Sequence, residues 1–397
     1  MMAAKRVLFF FPLNPAEQSS GSQNRVVNLL LYFKRRNVEV DFASKLVWGK
    51  WTEASTKTFH DSGLAKRLFI FRRKPEKKNV LSYFFNYKIQ HLAFEKELAP
   101  VKGSFPNHTT LNLRRQLDGV LKENAYDYII ISYAYWADLI KNNPYLGKAT
   151  TIIDTHDLLS AQHQHDAGFN RGAAFGDEMR RLSLFDQVWA ISPEETYLFG
   201  QFIKDKVKYI PMMMDEVEKA VNVKKDFDLI YVATDNPHNL ISAAWFFKEV
   251  YPLLPASLSI CIVGSVLAHI PATLTNIHRV QFTASLADFY NRAKVVICPM
   301  LSGTGVKVKV VEAMAHGLPV VCTDHGTDGV PDKINNGCLV TNEAGIFAAN
   351  IMQLLQDDVL YAQQSELALA CFKRNFNTQT VYKKLDAALN LNNNEEG

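Results

Sequence analysis

A short glycine-containing loop in the second half of the chain has the residue types of an anion-binding site. Gly303 and Gly305 follow an apolar run that ends at Pro299, and a helical pattern begins near Lys307. Glycines allow the backbone to approach a ligand closely, and a helix N-terminus offers free N–H groups and a positive dipole end. The pattern predicts an anion cradle with Lys307 at its mouth. A tight turn that binds nothing is the alternative.

Two further positions could supply polar groups to a ligand. Glu312 lies five residues after Lys307, on the second turn of the predicted helix, where its carboxylate could accept hydrogen bonds from a sugar or ribose diol. His156 directly follows a predicted strand over residues 151–154. Open α/β sheets bind ligands at the carboxyl ends of their strands, so we expect a functional role for His156.

A metal site is the weaker interpretation of the residues around His156. The neighbouring acidic and imidazole side chains are Asp154, Asp157, His163, His165 and Asp166. A His-x-His spacing brings two imidazoles together in a strand or loop, whereas residues 158–164 have a helical pattern. Structural histidines are therefore favoured. Asp226 and Asp228 match an Asp-x-Asp metal signature, but they open a predicted strand, and we interpret them as charges at a strand edge.

The elements that position these residues alternate regularly along most of the chain. Short apolar runs alternate with helical patterns, which is typical of βα units and a parallel sheet. The predicted strands cover residues 6–11, 38–43, 128–132, 151–154 and 188–191, then 229–233, 258–263, 280–282, 295–299 and 319–323. Each group is sufficient for one sheet with helices on both faces, so the fold class is α/β with two domains.

The domain boundaries follow from the gaps in this alternation. We predict an N-terminal domain over residues 1–204, a linker over 205–226 and a C-terminal domain over 227–375. Residues 376–397 should form a helix, with a crossing back to the N-terminal domain left open, and a disordered tail. A basic, aromatic segment over about 45–108 interrupts the pattern and is interpreted as an insertion.

Composition excludes several classes of protein. The chain has 397 residues, 48% hydrophobic and 21% charged, which excludes disorder as its main state. Its net charge of +4 is too small for a protein that coats nucleic acid. Residues 45–88 contain eleven Lys or Arg and three acidic residues, a balance of +8 that leaves −4 for the rest. The excess charge therefore belongs to one segment.

Cysteine usage and hydropathy indicate the compartment. The five cysteines are widely spaced and form no Cys-x-x-Cys pair, so we expect buried thiols in a reducing compartment, without disulfides or a zinc site. The apolar run at residues 7–11 is too short for a signal peptide, and no run approaches the ~18–20 residues of a membrane span. We expect a cytoplasmic protein, with peripheral attachment to the inner face of a membrane left open.

The glycine loop and its helix resemble a motif of the retaining glycosyltransferases with the GT-B fold, of the family 4 or "group 1" type. One branch of that family has the pattern G-x-G-x-K-x-K-x-x-E-A-M-A-x-G-x-P-V-V, and residues 303–321 match it at every defined position. The likeness extends to residues 13–25, 154–157, 188–192 and 229–239, and leaves out 45–108. It implies two Rossmann-like parallel-sheet domains that face each other across a cleft.

The resemblance also implies a chemistry. The donor is a nucleotide-diphosphate sugar, bound without a metal or cofactor, and transfer retains the anomeric configuration by attack on the face that the diphosphate leaves. The implied catalytic residues are His156, Lys307 and Glu312. The implied donor-binding residues are Gly21, Arg25, Asp157, Gly303, Thr304, Gly305, Val306, Lys307 and Glu312. For Arg25, a place on the surface is equally open. The acceptor is a glycan, a lipid-linked molecule or a protein, bound mainly by the N-terminal domain.

This chain departs from the family pattern at two places. Family members commonly carry a second Glu eight residues before the matched one, and here that position is Thr304. Many also have an Arg and a Lys after the first strand of the C-terminal domain, and residues 233–238 contain neither. Lys307 is therefore the main candidate cation for the diphosphate.

Two other functions and one docking surface stay open. A nucleotide-sugar epimerase could use the same fold, and a degenerate, non-catalytic member could bind nucleotide sugar or a partner. A dinucleotide oxidoreductase is disfavoured, because Gly21 alone stands where a glycine triplet is required. The basic segment 45–88 with Trp48, Trp51, Phe69 and Phe71 is either a solvated face or a platform for anionic lipid or a lipid-diphosphate acceptor.

Overall fold

A computed structural model of the chain describes residues 4–17, 20–77, 79–164, 166–217 and 223–391. The chain forms two compact units, Met1–Ile210 and Pro211–Gly397. Each unit contains one parallel sheet flanked by helices, which confirms the predicted fold class. His165 and the predicted disordered tail at 392–397 lie outside the described residues.

The N-terminal unit contains eight helices and seven strands in its described part. The strands are β1 (Arg6–Phe10), β2 (Glu39–Lys45), β3 (Arg67–Phe71), β4 (Tyr128–Ser132), β5 (Thr150–Asp154), β6 (Gln187–Ala190) and β7 (Val207–Tyr209). The helices are α1 (Gly21–Arg35), α2 (Glu53–Asp61), α3 (Val80–Tyr83), α4 (Ile89–Leu98), α5 (Leu111–Glu123), α6 (Leu159–Gln162), α7 (Arg171–Ser183) and α8 (Pro193–Phe202). A π-helical turn, Phe84–Lys88, joins α3 to α4. The sheet order is β3-β2-β1-β4-β5-β6-β7.

The C-terminal unit repeats this architecture. Its strands are β8 (Phe227–Val232), β9 (Ile260–Val263), β10 (Ile277–Val280), β11 (Ala293–Cys298), β12 (Val320–Cys322) and β13 (Cys338–Val340), in the order β10-β9-β8-β11-β12-β13. Its helices are α9 (Pro237–Trp245), α10 (Leu286–Arg292), α11 (Val308–Ala315), α12 (Ala344–Gln356), α13 (Asp358–Asn375) and α14 (Thr378–Ala388). In both sheets the strand order reverses beside the first strand, as in Rossmann-like folds.

The strand sequences are apolar because each sheet is covered on both faces. Along β8, Leu229 and Tyr231 pack in one cluster with residues of α9 and α12. Ile230, between them, packs in a second cluster with residues of α11 and α13. Successive side chains of a strand point to opposite faces, so a strand that is buried on both sides reads as a continuous apolar run.

Several elements differ from the sequence prediction. β3 pairs in parallel with β2, so the segment interpreted as an insertion continues the βα alternation as far as Phe71. β7 lies inside the predicted linker and pairs with β6. The sequence analysis also missed β13, because strands of three residues such as β7 and β13 are too short to show a periodic pattern. β10 was expected at residues 280–282 and ends at Val280.

All five cysteines are buried free thiols, as their apolar surroundings predict. None of them forms a disulfide, and each packs in one of the two cores of the C-terminal unit or at its edge. Among the helices that the structure describes, none combines the length and apolar composition that crossing a bilayer requires.

Gly264, which follows β9, provides a test of the C-terminal fold. Its φ is 119°, and a Cβ atom there would lie 2.1 Å from the carbonyl oxygen of Ala233, at the end of β8. Gly264→Ala should therefore lower the free energy of unfolding by at least about 2 kcal/mol, through backbone strain and overlap. Gly345→Ala is the control, since it lies in α12 with open space around it. Urea denaturation that shows equal stabilities would contradict the close approach of these loops.

Candidate functional site

The loops after β8 and β11 meet at the carboxyl edge of the C-terminal sheet. The strand order reverses between these two strands, and ligands of open α/β sheets bind at that reversal. His238 Nδ1, at the start of α9, lies 2.8 Å from Ser302 Oγ, in the loop after β11. A Cβ on Gly303 would come within 3.4 Å of the His238 ring, at a φ of 98°. The predicted glycine loop therefore packs closely against the N-terminus of α9.

The Lys307 ammonium points back onto its own loop. Lys307 is buried, and its Nζ donates to the carbonyl oxygens of Gly303 (3.1 Å), Thr304 (3.1 Å) and Gly305 (2.9 Å). Asp328 Oδ2 lies 3.7 Å away. Lys307 is also the N-cap of α11, whose first amides have no partner inside the helix. The cation and these amides thus lie together at the start of α11, and in this conformation the ammonium is bonded to protein oxygens.

Glu312 lies on α11 beside a buried tyrosine. Its Oε2 accepts a hydrogen bond of 2.9 Å from the Tyr290 hydroxyl. Burial raises the pKa of Glu312, although the Tyr290 hydrogen bond and the Lys309 charge oppose that shift. The side chain is half-buried, so its carboxylate is held in place while a part of it stays accessible.

Lys309 is a member of this site that the sequence analysis did not select. Its Nζ donates to Asn239 Oδ1 at 3.1 Å and lies 5.4 Å from the centre of the Tyr231 ring. Burial lowers its pKa. Lys309 is the second lysine of the matched motif, and it follows Lys307 by two residues. This spacing could have indicated that Lys309 belongs to the site. It does not predict the contact of Lys309 with Asn239 of α9.

In the N-terminal unit, His156 lies after β5 in a strained backbone conformation. Its φ is 63°, in the left-handed region, which is unusual for a residue other than glycine. The imidazole stacks on Tyr133 with ring centres 4.3 Å apart. Nε2 lies 3.0 Å from Asp154 Oδ2, without the alignment of a hydrogen bond. Strain of this kind is frequent at functional sites, and it is consistent with the role expected for His156.

Arg25 is buried and makes an ion pair with Asp154. Its Nη2 donates to Asp154 Oδ1 at 2.7 Å, and its Nε lies 3.0 Å from both carboxylate oxygens. Burial raises the pKa of Asp154, but Arg25 and His156 outweigh this and hold it well below its ordinary value. Arg25 is thus neither a surface residue nor directed at solvent. Gly21, the other predicted residue of this region, is the first residue of α1.

The segment after His156 is held by buried Glu178, and a second buried glutamate, Glu195, is affected by the charge of this segment. Glu178 Oε1 and Oε2 accept from the amides of Leu159 (2.8 Å) and Ser160 (2.9 Å), which open α6. Burial raises the pKa of Glu195 to about 8, and the charge of half-buried Asp157 adds to the shift. Glu178 was not selected from sequence, because it acts on a loop 19 residues away, and Glu195 accepts from the nearby amide of Ile191. Glu178 thus fixes the backbone that directly follows His156 and Asp157.

The remaining predicted charges have structural partners. His163 Nδ1 lies 2.6 Å from Asp166, and its Nε2 lies 2.6 Å from the Tyr135 hydroxyl. Asp226 pairs with Arg292 and Asp228 with Lys294, each at 2.8 Å. Over the described residues, no three His, Cys, Asp or Glu side chains are grouped as metal ligands. The strand-edge interpretation of Asp226 and Asp228 agrees with these contacts.

Comparison with known proteins agrees with this geometry. Residues 226–357 match the family model described as Glycosyl transferases group 1. The matched residues lie within the C-terminal unit. Over 309 residues, the chain is 21% identical to an "Uncharacterized 44.6 kDa protein in cps region" of Klebsiella pneumoniae, with coverage of 68% of this chain and 76% of that protein.

Solved structures establish the GT-B fold. HepE of Anabaena, in complex with UDP-glucose, has a TM-score of 0.65 at 14% identity and covers 97% of this chain and 99% of its own. A TarM variant of S. aureus, in complex with fondaparinux, α-GlcNAc-glycerol and UDP, has a TM-score of 0.65 at 13% identity and covers 97% of this chain and 100% of its own. The expected fold is thereby confirmed.

The Arg25–Asp154 pair gives the first test of the N-terminal site. Arg25→Leu leaves a buried carboxylate without its cation, so the free energy of unfolding at pH 7 should fall by about 3–5 kcal/mol. The depressed pKa of Asp154 stabilises the wild type above about pH 4, and this stability is lost at lower pH. In the variant, the Asp154 carboxyl protonates more readily. The difference in unfolding free energy between wild type and variant should therefore become smaller as the pH falls. Urea denaturation at pH 7 and pH 4 measures both effects.

Two controls accompany this measurement. Arg35→Leu changes an exposed arginine of the same helix and should have little effect. Adding Asp154→Asn to Arg25→Leu should recover part of the loss, because it removes the unpaired charge. A loss that is equal for Arg25→Leu and Arg35→Leu would refute the importance of the pair.

Proposed function

We propose that this chain is a retaining glycosyltransferase that moves a sugar from a nucleotide-diphosphate donor to a glycan, lipid-linked or protein acceptor without a metal. The observation that carries the proposal is the Gly303–Gly305 loop, which leads into α11 beside the strand-order reversal of the C-terminal sheet. A diphosphate fits this place, because free amides, a helix dipole and two lysines gather there. The UDP-glucose bound by HepE supports a UDP-sugar as donor.

The residues divide the chemistry as follows. Glu312, oriented by Tyr290, accepts hydrogen bonds from the ribose hydroxyls. The backbone at Gly303, Thr304, Gly305 and Val306 contacts the diphosphate and sugar. Lys307 leaves the loop carbonyls and donates to the phosphate oxygens, with Lys309 behind it. Such preorganised donors commonly form the largest catalytic contribution, with one donor worth about 3 kcal/mol.

The bond changes need no protein nucleophile. The anomeric carbon–oxygen bond to the diphosphate breaks, and the acceptor oxygen attacks the face that the diphosphate leaves, so the configuration is retained. The acceptor proton passes to an oxygen of the departing diphosphate. His156, fixed on Tyr133, orients a donor hydroxyl from the N-terminal unit, and Asp157 lies beside it in the same loop. Arg25 acts as a positioning residue through Asp154.

Donor binding and release of the nucleotide test this proposal. A thermal-shift screen of UDP-, GDP-, dTDP- and ADP-sugars should single out one nucleotide, since a ligand at 100 times its Kd stabilises by about 2.7 kcal/mol. With that donor, Lys307→Ala should lower the rate of nucleotide release by about 100-fold or more through loss of phosphate contacts. Glu312→Ala should mainly weaken donor binding. Full activity of either variant would remove that residue from its role.

The controls separate the proposal from its alternatives. Lys248→Ala and Glu249→Ala change exposed residues of the same two types in the C-terminal unit and should leave release unaltered. Incubation with donor alone distinguishes an epimerase, which forms the epimeric nucleotide sugar without an acceptor. NMR of the released or transferred sugar reports whether the anomeric configuration is retained, and EDTA should not reduce the rate.

We further propose that the acceptor is reached at the inner face of an anionic membrane, through the helical segment Val80–Leu98. Two of the aromatic residues first considered for this surface are unsuited to it because they are buried. Trp51 and Phe71 are buried, and Trp51 Nε1 donates to Ser44 Oγ. The exposed apolar side chains lie further along, on α3, the π-turn and α4: Val80, Leu81, Phe84, Phe85, Ile89 and Leu92 are 42–70% exposed.

The positive charge next to these exposed apolar side chains, which form a stripe along the helical segment, favours anionic lipid as their partner. Four exposed basic residues, Arg72, Arg73, Lys74 and Lys77, precede the helix directly. A helix that presents large apolar side chains beside a basic cluster is suited to the headgroup region of anionic lipid. Exposed apolar stripes of this size are rare on surfaces that bind nothing.

Vesicle flotation tests the membrane proposal. The protein should float with phosphatidylglycerol vesicles, bind phosphatidylcholine vesicles weakly, and lose binding steeply as salt is raised. Leu81→Glu with Phe85→Glu should abolish flotation, because two charges would enter the apolar layer. Val359→Glu, which changes an exposed valine of α13, is the control. If the protein does not float, or if its flotation does not depend on salt, the segment is a solvated face and the membrane proposal is wrong.

A further inference from the structure

A buried lysine without an acidic partner lies at the carboxyl end of β2. Lys45 is 3% exposed, and its Nζ lies 4.2 Å from the centre of the Trp48 ring and 4.9 Å from that of Trp136. In the part of the chain that the structure describes, no carboxylate is paired with this ammonium, and the charge that acts on it is that of Arg73, which is also positive. Buried ammonium groups are normally paired, because removing a charge from water is costly.

The nearest ionisable groups add positive charge or stay neutral. Arg73 is exposed and follows β3, and its carbonyl accepts from Thr110 Oγ1 at 2.8 Å. The His108 ring lies 5.0 Å from Trp48 and 5.4 Å from Trp136, measured between ring centres. Burial, with Lys45 and Arg73, lowers the pKa of His108 to about 4. Burial, with Arg73, likewise lowers the pKa of Lys45 to about 8.

Two buried hydrogen-bonding groups near this cluster also have no partner among the described residues. They are Trp136 Nε1, on the indole that contacts Lys45, and Thr109 Oγ1, next to His108. Buried polar groups are hydrogen-bonded in the great majority of cases, so groups without a partner require an explanation. The ammonium and the indole N–H can only donate, and the hydroxyl can donate as well, so the three groups together favour an anion over a cation.

We propose that Lys45, together with Arg73 and His108, forms a binding site for a phosphate group carried by the acceptor. The site is in the N-terminal unit, at the carboxyl edge where β1, β2 and β4 end, which is the ligand-binding edge of an open α/β sheet. A lysine is a compact point charge that suits phosphate. The inference rests on the proposed function, since it names the class of acceptor: a phosphorylated one.

Contact between Lys45 and the two indoles is the competing explanation. Cation–π attraction reaches about 2 kcal/mol when the groups are desolvated, and it could stabilise the lysine by itself. The two explanations differ in one observable. A purely structural lysine would not respond to phosphate, whereas phosphate bound at the ammonium would favour its charged form and raise its pKa.

NMR of the Lys45 side chain in the full-length protein decides between them. Lysine labelled at Cε is titrated with pH, with and without millimolar inorganic pyrophosphate, and the Lys45 signal is assigned by its loss in Lys45→Met. Pyrophosphate should raise the pKa of Lys45 by at least about one unit, which corresponds to tenfold tighter binding to the charged form. An unchanged Lys45 pKa would overturn the proposal. Lys57→Met, which removes an exposed lysine of α2, is the matched control and should leave the response intact.

Further variants and ligands identify what binds at Lys45 and keep the test valid if one variant misfolds. If Lys45→Met does not fold, Lys45→Arg gives the assignment. A response to acetate equal to that to pyrophosphate would overturn the choice of phosphate. Glucose 1-phosphate and a prenyl phosphate separate a soluble source from a lipid source, and a response to either supports the site. Donor binding is followed independently by thermal shift, so loss of donor binding with an intact Lys45 response contradicts the proposed function alone.

Discussion

Burial of both faces of each parallel sheet is the constraint on which the rest of the molecule depends. Strand interiors such as Leu229, Ile230 and Tyr231 contact helices on either side, so a polar side chain there would meet neither water nor ligand. Polar residues are therefore displaced to the strand ends. Lys45 ends β2, and Asp154 ends β5. The same constraint makes the loops after the strands the part of each unit that can hold a ligand.

Charges buried at these strand ends are accommodated in three ways. Asp154 is matched by a bidentate arginine, which keeps both charges ionised in a dry environment. Lys307 is matched mainly by three neutral carbonyl oxygens of its own loop, with the Asp328 carboxylate 3.7 Å away. Among the described residues, the partners of Lys45 are aromatic rings. The ion pair of Arg25 with Asp154 compensates charge more strongly than carbonyl dipoles do for Lys307 or aromatic rings do for Lys45. The two lysines are therefore better able than Arg25 to bind a new anionic partner.

Local patterns predicted the glycine loop, its helix and the two sheets, because neighbouring residues determine these features. Contacts between distant segments were not predictable in this way. Arg25 and Asp154 are 129 residues apart, and no spacing in the chain indicates that they pair. Composition was misleading for Trp51 and Phe71, since an aromatic residue in a basic segment can face the core or the solvent. Phe71 lies in β3, a strand at the edge of the sheet, and Trp51 packs on Phe59 of α2 and donates to Ser44 of β2.

The glycine loop also explains how Lys307 could serve two partners. Gly303 and Gly305 both have positive φ, and the carbonyl oxygens of the loop converge on the ammonium. A typical hydrogen bond contributes only about 0.5–1.5 kcal/mol net, and bonds to charged groups about 1.5–3. The bonds from the ammonium to the carbonyls are already of the second kind, and a diphosphate oxygen adds the attraction of a negative charge, so it can replace these carbonyls at a net gain. In the proposed function, the backbone carbonyls of the loop bind the Lys307 ammonium until a diphosphate oxygen replaces them. This arrangement requires the conformational freedom of glycine more than its small size.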